Sequence, residues 1–189
     1  QFEYIRKSVL AFNLPSVDLA NYEADDLIAT YVDQILKKGA KVTIVSSDKD
    51  LMQLYKKDVR IFDPMKNKYI SDEDVFKKFG VDASKVIDVQ ALAGDSSDNV
   101  PGVPGIGVKT AAELINKYGT LDKLLKSTHE IKQNKRRESL IENKDKALIS
   151  KELVTLKHDA PVDIKLSEFK LKEIDKDKLY AFLREMEFN

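Results

Sequence analysis

Apolar residues recur at helical spacing through residues 2–13, where Phe2, Ile5, Val9, Leu10 and Phe12 share roughly one face, and Pro15 limits that helix. Residues 17–19 read as a short strand. From Asn21, a candidate N-cap, a second helix is expected to run to about Lys38, with Ala24, Leu27, Ile28, Tyr31, Ile35 and Leu36 turned inward and Gly39 at its end. The β-branched run 41–46 predicts a buried strand, 50–54 a short helix, and 59–62 and 68–70 two further strands joined by a turn over 64–67. Ser71 and Asp74 have the spacing of a capping box for a helix over 73–79 closed by Gly80, and another helix is expected over 84–93. Beyond residue 110 every periodic stretch is helical: 111–118, 121–126, 141–155 and an amphipathic 176–186, with 132–137 read as a mobile basic stretch and 161–164 as extended. The change from mixed α/β to all-helical patterning places a boundary near residue 82, between a partial α/β core over 1–81 and a helical subdomain over 82–189.

Just past that boundary the chain reads GDSSDNVPGVPGIGVKT over 94–110. Asp95 and Asp98 stand one helical turn apart, and a hairpin containing Gly102, Gly105 and Gly107 leads into a helix that opens with Lys109 and Thr110. A hairpin of this kind presents successive backbone N–H groups, and the helix behind it adds the positive end of its dipole, which suits a phosphate. Val108 between Gly107 and Lys109 breaks the register of a P-loop, and the preceding helix excludes a dinucleotide fingerprint. A helix–hairpin–helix over about 94–118 remains, a module that grips a nucleic-acid backbone without reading bases, with Lys109 and Lys117 as further phosphate contacts. The competing reading is a tight turn between packed helices. Lys132, Lys135, Arg136 and Arg137 could track a strand or be a solvated loop.

Three acidic clusters fall at element ends. Glu23, Asp25 and Asp26 open the second helix, where acids also complement the helix dipole. Asp48 and Asp50 follow the run 41–46, where ligands bind in α/β sheets; in extended chain both carboxylates face one side with Lys49 turned away, and the alternative is a helix cap. For Asp95 and Asp98 the alternative is an N-cap and a turn. Carboxylates beside a phosphate site repel it unless a divalent cation lies between them, and two ions about 3.5–4 Å apart would neutralise the acids and activate water against a phosphodiester.

Composition narrows the metal. The chain has no cysteine and only His129 and His158, so an ion must be held by oxygen, which favours magnesium or manganese over zinc. With 32 basic and 32 acidic residues the net charge is zero, so nucleic-acid binding requires the two signs to be segregated. No apolar run approaches membrane-spanning length, and no membrane partner is expected.

Taken together, YEADD over 22–26, SSDKD over 46–50 and GDSSDNVPGVPGIGVKTA over 94–111 resemble the 5′-3′ exonuclease domains of bacterial DNA polymerase I, in the flap-endonuclease superfamily. The resemblance implies an α/β, PIN-like nuclease core with a mostly parallel sheet, followed by a helical lobe with a helix–three-turn–helix. It implies a structure-specific 5′ nuclease of DNA replication and repair in the bacterial cytoplasm, cutting duplex DNA that carries a 5′ flap, nick or RNA primer. Glu23, Asp25, Asp26, Asp48, Asp50, Asp95 and Asp98 would hold two magnesium ions, replaceable by manganese, with Asp48, Asp50 and Asp26 as the catalytic carboxylates. Gly102, Gly105, Gly107, Lys109 and Thr110 would contact DNA, and hairpin carbonyls would hold a potassium ion.

The family also carries a segment ahead of the position of Gln1, with the first β-strand, two further ligand aspartates and a basic arch. The expectation is therefore an N-terminally truncated domain of a monomeric protein that continues into a polymerase. A second reading follows: a catalytically impaired fragment that grips duplex DNA through its helix–hairpin–helix. A purely structural domain, binding no DNA, is the third.

Overall fold

The computed structural model describes residues 2–188, which divide into two compact units: residues 36–156, and residues 2–35 together with 157–188.

The larger unit holds a three-stranded sheet in the order β1 (Val42–Val45), β2 (Val59–Asp63), β3 (Lys68–Tyr69). β1 and β2 are parallel, with Val42 opposite Val59 and Val45 opposite Phe62; β2 and β3 are antiparallel, with Phe62 opposite Tyr69. One of the two strand pairings, the shorter, is antiparallel, because only a four-residue turn separates β2 from β3 and a parallel return needs a crossover of a dozen residues or so. β1 was expected to be buried. Among the described residues it is an edge strand in which only Ile44 is buried and Val45 is 65% exposed, since a strand paired on one side has less of its surface covered.

Six helices follow: α3 (Asp72–Phe79), α4 (Val86–Ala93), α5 (Val108–Tyr118), α6 (Leu121–Lys126), α7 (Asn134–Glu142) and α8 (Lys144–Val154), numbered after two helices of the smaller unit. Helix α3 is framed by the expected capping box, in which Ser71 and Asp74 each accept the other's backbone N–H. Helix α4 is apolar on nearly every side, and Val86, Val89, Ala91 and Leu92 are sealed as it packs against α5, α6 and α8. Asp88 on α4 and Asp122 on α6 both pair with Lys151 of α8 at 3.0 Å, tying the three helices together.

Two expectations change here. The basic stretch 132–137 is mostly the start of α7, where the Arg137 guanidinium donates to the Ile131 carbonyl and the Asn134 side chain. The helix expected over 141–155 is broken at Asn143, whose side chain donates to the Ser139 carbonyl and whose backbone (φ −110, ψ 26) separates α7 from α8.

The smaller unit contains α1 (Phe2–Ala11), the first turns of α2 (Ala24–Lys37) and α9 (Lys176–Glu185). Helices α1 and α9 pack together, with Lys7 Nζ 3.1 Å from the Glu185 carboxylate. The returning segment lies along α2: Thr30 Oγ1 accepts the Ala160 N–H, and Tyr31 donates to the Ile164 carbonyl while meeting Phe169 edge-on. Residues 17–19 are not a strand. Their exposure alternates as in extended chain, but among the described residues no strand pairs with them. Helix α2 begins three residues after the expected cap, because Asn21 takes a left-handed backbone (φ 68).

Candidate metal centre and backbone-binding hairpin

Asp50 begins a 3₁₀ turn (Asp50–Leu54) that anchors itself by burying Leu51, Met52 and Leu54. Asp95 and Asp98 come from the loop after α4. There Asp95 and Val100 exchange two backbone hydrogen bonds of 2.9 and 2.8 Å, closing a tight loop over 95–100, and Asn99 takes a left-handed turn (φ 56). The Asp95 carboxylate accepts the Ser97 N–H at 3.0 Å and its hydroxyl, so Asp95 and Asp98 are presented by a turn and not by a helix. This geometry brings one oxygen each of Asp50, Asp95 and Asp98 within 4.8 Å of one another.

The charge balance inside the group is uneven. Lys49, expected to point away, reaches into it: its ammonium is 2.5 Å from Asp95 Oδ2 and 3.9 Å from Asp98 Oδ2. The extended-chain parity fails because Lys49 has helical dihedrals (φ −70, ψ −26) as the residue leading into the 3₁₀ turn. Its hydrogen bond holds the Asp95 carboxyl down to about 2, aided by Ser97, and in turn raises the Lys49 ammonium. Burial instead pushes the Asp50 carboxyl up, partly offset by a hydrogen bond from Gln90 Nε2 at 2.5 Å. Gln90 is 4% exposed, and its Oε1 has no hydrogen-bond partner among the described residues. Lys49 was expected to stand apart from the acids, and Gln90 was not singled out in the sequence. The only signal for Gln90 was a polar residue on a largely apolar helix.

Asp48 is exposed and lies outside the three-carboxylate group. One of its oxygens accepts the Asp50 N–H at 2.9 Å, a turn-forming bond just ahead of the 3₁₀ turn, which has no side-chain cap. Glu23, Asp25 and Asp26 sit at the first turn of α2 in the smaller unit. Asp26 accepts the Glu23 N–H at 3.4 Å and, through its other oxygen, the Lys157 N–H at 2.8 Å, so one local and one distant backbone amide engage its two oxygens. Asp63 is a further buried acid. Its carboxyl is lowered to about 2 by hydrogen bonds from Lys66 and Ser47 and fastens the turn after β2.

The hairpin divides its glycines between two tasks. Gly102 is buried, and its N–H donates to Ser150 Oγ at 2.9 Å, so it serves the packing of the loop and its amide cannot reach a phosphate. Gly105 (φ 79) and Gly107 face open space, and Gly107 leads into α5 without a side-chain cap. Among the described residues, the N–H groups of Gly105, Gly107, Val108, Lys109 and Thr110 find no protein acceptor. A groove of about 760 Å³ runs from Gly105 and Ile106 to Lys132, Lys135 and Arg136. Lys117 lies at the far end of α5, where it donates to Tyr118, and is not part of this surface.

Two family models match the chain: the 5′-3′ exonuclease N-terminal resolvase-like domain over residues 1–80, and the 5′-3′ exonuclease C-terminal SAM fold over residues 81–177. The DNA polymerase I of Rhizobium leguminosarum is 53% identical over 188 residues, covering 100% of this chain and 18% of that protein. The 5′-3′ exonuclease of Aquifex aeolicus is 37% identical over 187 residues, covering 99% of this chain and 63% of that protein. Among solved structures, the flap endonuclease of bacteriophage T5 in complex with DNA and metal ions aligns with a TM-score of 0.74 at 22% identity, over 99% of this chain and 68% of that one. At that identity the likeness is one of fold. It agrees with the expected α/β core and helical lobe.

Proposed function

Because the chain belongs to the 5′-3′ exonuclease family, we propose that it hydrolyses phosphodiester bonds at the 5′ ends of DNA strands. The observation that carries this reading is the meeting of Asp50, Asp95 and Asp98 within 4.8 Å of one another, two of them from the segment that runs on from α4 to the uncapped N-terminus of α5.

The three carboxylates fit a divalent cation. They converge without a histidine or cysteine among them, and the burial that raises Asp50 is the environment a cation would relieve. Such a donor set favours magnesium, with manganese as a substitute, and a second ion when Asp48 adds a ligand directly or through water. When bound, the ions supply Lewis-acid activation of water and neutralise the charge of the phosphate.

The protein's own groups do the rest. Gln90 orients one oxygen of Asp50, the loop over 95–100 holds Asp95 and Asp98 in a fixed relation, and Asp48 stabilises the turn that presents Asp50. The amides of Gly105, Gly107 and Val108, with Lys109 and Thr110, hold a backbone phosphate, and Lys132, Lys135 and Arg136 extend the contact along the groove. Carbonyls of the same hairpin would suit a monovalent cation such as potassium.

The chain spans 18% of the Rhizobium relative and 63% of the Aquifex one, so the wider setting is also a proposal. In it, the nuclease acts on 5′ flaps, nicks or RNA primers during bacterial replication and repair in the cytoplasm, as a monomer that continues into a polymerase. The functional boundary is proposed at 81/82. Among the described residues no helix is long and apolar enough to cross a membrane.

The test is cleavage of a 5′-flap duplex in Mg²⁺ or Mn²⁺. Wild type should cut and lose activity in chelator, and Asp50→Asn should bind the duplex without cutting it. Cutting that survives both chelator and Asp50→Asn would sink the assignment. Binding without any cutting by wild type would favour the DNA-binding fragment.

A further inference from the structure

The ammonium of Lys49 and a divalent cation compete for the same oxygen. Lys49 Nζ lies 2.5 Å from Asp95 Oδ2 and 3.9 Å from Asp98 Oδ2, and those two carboxylates and Asp50 have oxygens within 4.8 Å of one another. The groups facing the ammonium are thus Asp95 and Asp98 from the loop after α4, with Asp50 and Asp48 flanking Lys49 on its own strand-to-turn segment. Three carboxylates at such separations repel one another strongly unless a cation stands among them. Lys49 places a positive charge there from within the chain. Its side chain is 30% exposed, so the ammonium has room to withdraw into solvent on its flexible four-carbon stem.

We propose that Lys49 is a built-in counter-ion of the acidic centre, which holds Asp95 and Asp98 in place and gives up Asp95 when a divalent cation enters, so that this one side chain sets how tightly the centre binds metal. This rests on the nuclease reading of the same site. A directly ligated small cation needs an oxygen lone pair at about 2.0–2.1 Å. Asp95 Oδ2 is engaged by Lys49, and Asp95 Oδ1 accepts from both the N–H and the hydroxyl of Ser97. Entry of the ion therefore breaks a charge-assisted hydrogen bond, and that loss is subtracted from metal affinity. Through the same linkage, Lys49 stabilises the chain when divalent cations are scarce. A protein with Lys49 should show a weaker and more concentration-dependent response to metal than one without it.

The test titrates Mn²⁺ or Mg²⁺ alone, without DNA, into wild type, Lys49→Met and Lys49→Arg, using calorimetry and thermal unfolding. Lys49→Met should bind Mn²⁺ roughly tenfold more tightly, the factor that one charge-assisted hydrogen bond of modest strength is worth. It should melt at a lower temperature in chelator and gain more from saturating metal. Lys49→Arg keeps the charge and should stay within about twofold of wild type, separating charge from stem packing. In wild type, the Lys49 Nζ resonance should shift on metal addition as its bond to Asp95 is lost. Equal or weaker Mn²⁺ binding by Lys49→Met, with wild type binding normally, overturns the counter-ion role and leaves the metal centre standing. No binding by any of the three at millimolar metal overturns the metal centre itself, and the counter-ion role with it.

Discussion

Replacing Gly102 by alanine should do far more damage than the same change at Gly105, although the two sit three residues apart in one hairpin. Both have left-handed backbones, φ 60 and φ 79, so each alanine carries strain of about 1–2 kcal/mol. At Gly105 nothing lies within 4 Å of the new methyl. At Gly102 the methyl would stand 2.5 Å from the Gly94 nitrogen and 2.7 Å from both Ala93 C and Gly94 Cα, all backbone atoms that no rotamer change can clear.

Forcing that approach apart adds about 1–3 kcal/mol of overpacking. Any shift that relieves it stretches the Gly102 N–H bond to Ser150 Oγ, and an unpaired buried donor costs a further ~1–3 kcal/mol. The expected losses are therefore about 3–8 kcal/mol for Gly102→Ala and about 1–2 kcal/mol for Gly105→Ala. In a chain of this size these correspond to falls in Tm of about 10 °C or more and about 3–6 °C. Urea and thermal unfolding followed by far-UV circular dichroism would measure both. Because Gly102 closes against the loop carrying Asp95 and Asp98, Gly102→Ala should also weaken Mn²⁺ binding, which Gly105→Ala should leave unchanged. Equal losses of stability, or a larger loss at Gly105, would refute the argument that backbone approach at Gly94 shapes the acidic loop.

Gln90→Leu should leave stability within about 1 kcal/mol, since it removes an unpaired buried carbonyl together with the Nε2 hydrogen bond. It should push the Asp50 carboxyl further up and weaken metal affinity several-fold, as read by NMR titration of Asp50 and by calorimetry. Asp63 is held at about 2 against an ordinary 3.8, so its contribution to stability is full above the unfolded value and is lost as pH falls from about 4 through about 2. Asp63→Asn should flatten that part of the acid-unfolding profile, and an unchanged profile would count against the turn-fastening role. Duplex binding should weaken with rising salt, show little base preference, and suffer more from Gly105→Val than from Asp50→Asn, as anisotropy titrations would show. Strong discrimination among sequences of equal shape would contradict the hairpin assignment.

The amino-acid sequence alone determined what short-range signals control. The capping box of α3, the 3₁₀ turn Asp50–Leu54 and the bounds of α6 at Leu121–Lys126 all agree with the expectation, since each depends on residues within four positions of itself. Residue type and spacing picked out the acids and the glycine hairpin as candidates, and of the seven acids so named Asp50, Asp95 and Asp98 meet within 4.8 Å. Tertiary structure decided which of those groups share a volume. Lys49 turned inward because the chain leaves the extended conformation one residue before Asp50, and Gln90 met Asp50 across forty positions of sequence. Gly102 was drawn from the phosphate surface into the interior by Ser150, forty-eight residues away. The strand expected to be buried became an exposed edge because burial depends on what covers a strand, not on its own apolar residues. Caps and turns are set by neighbours in sequence, whereas the partners of a carboxylate are set by packing between distant segments.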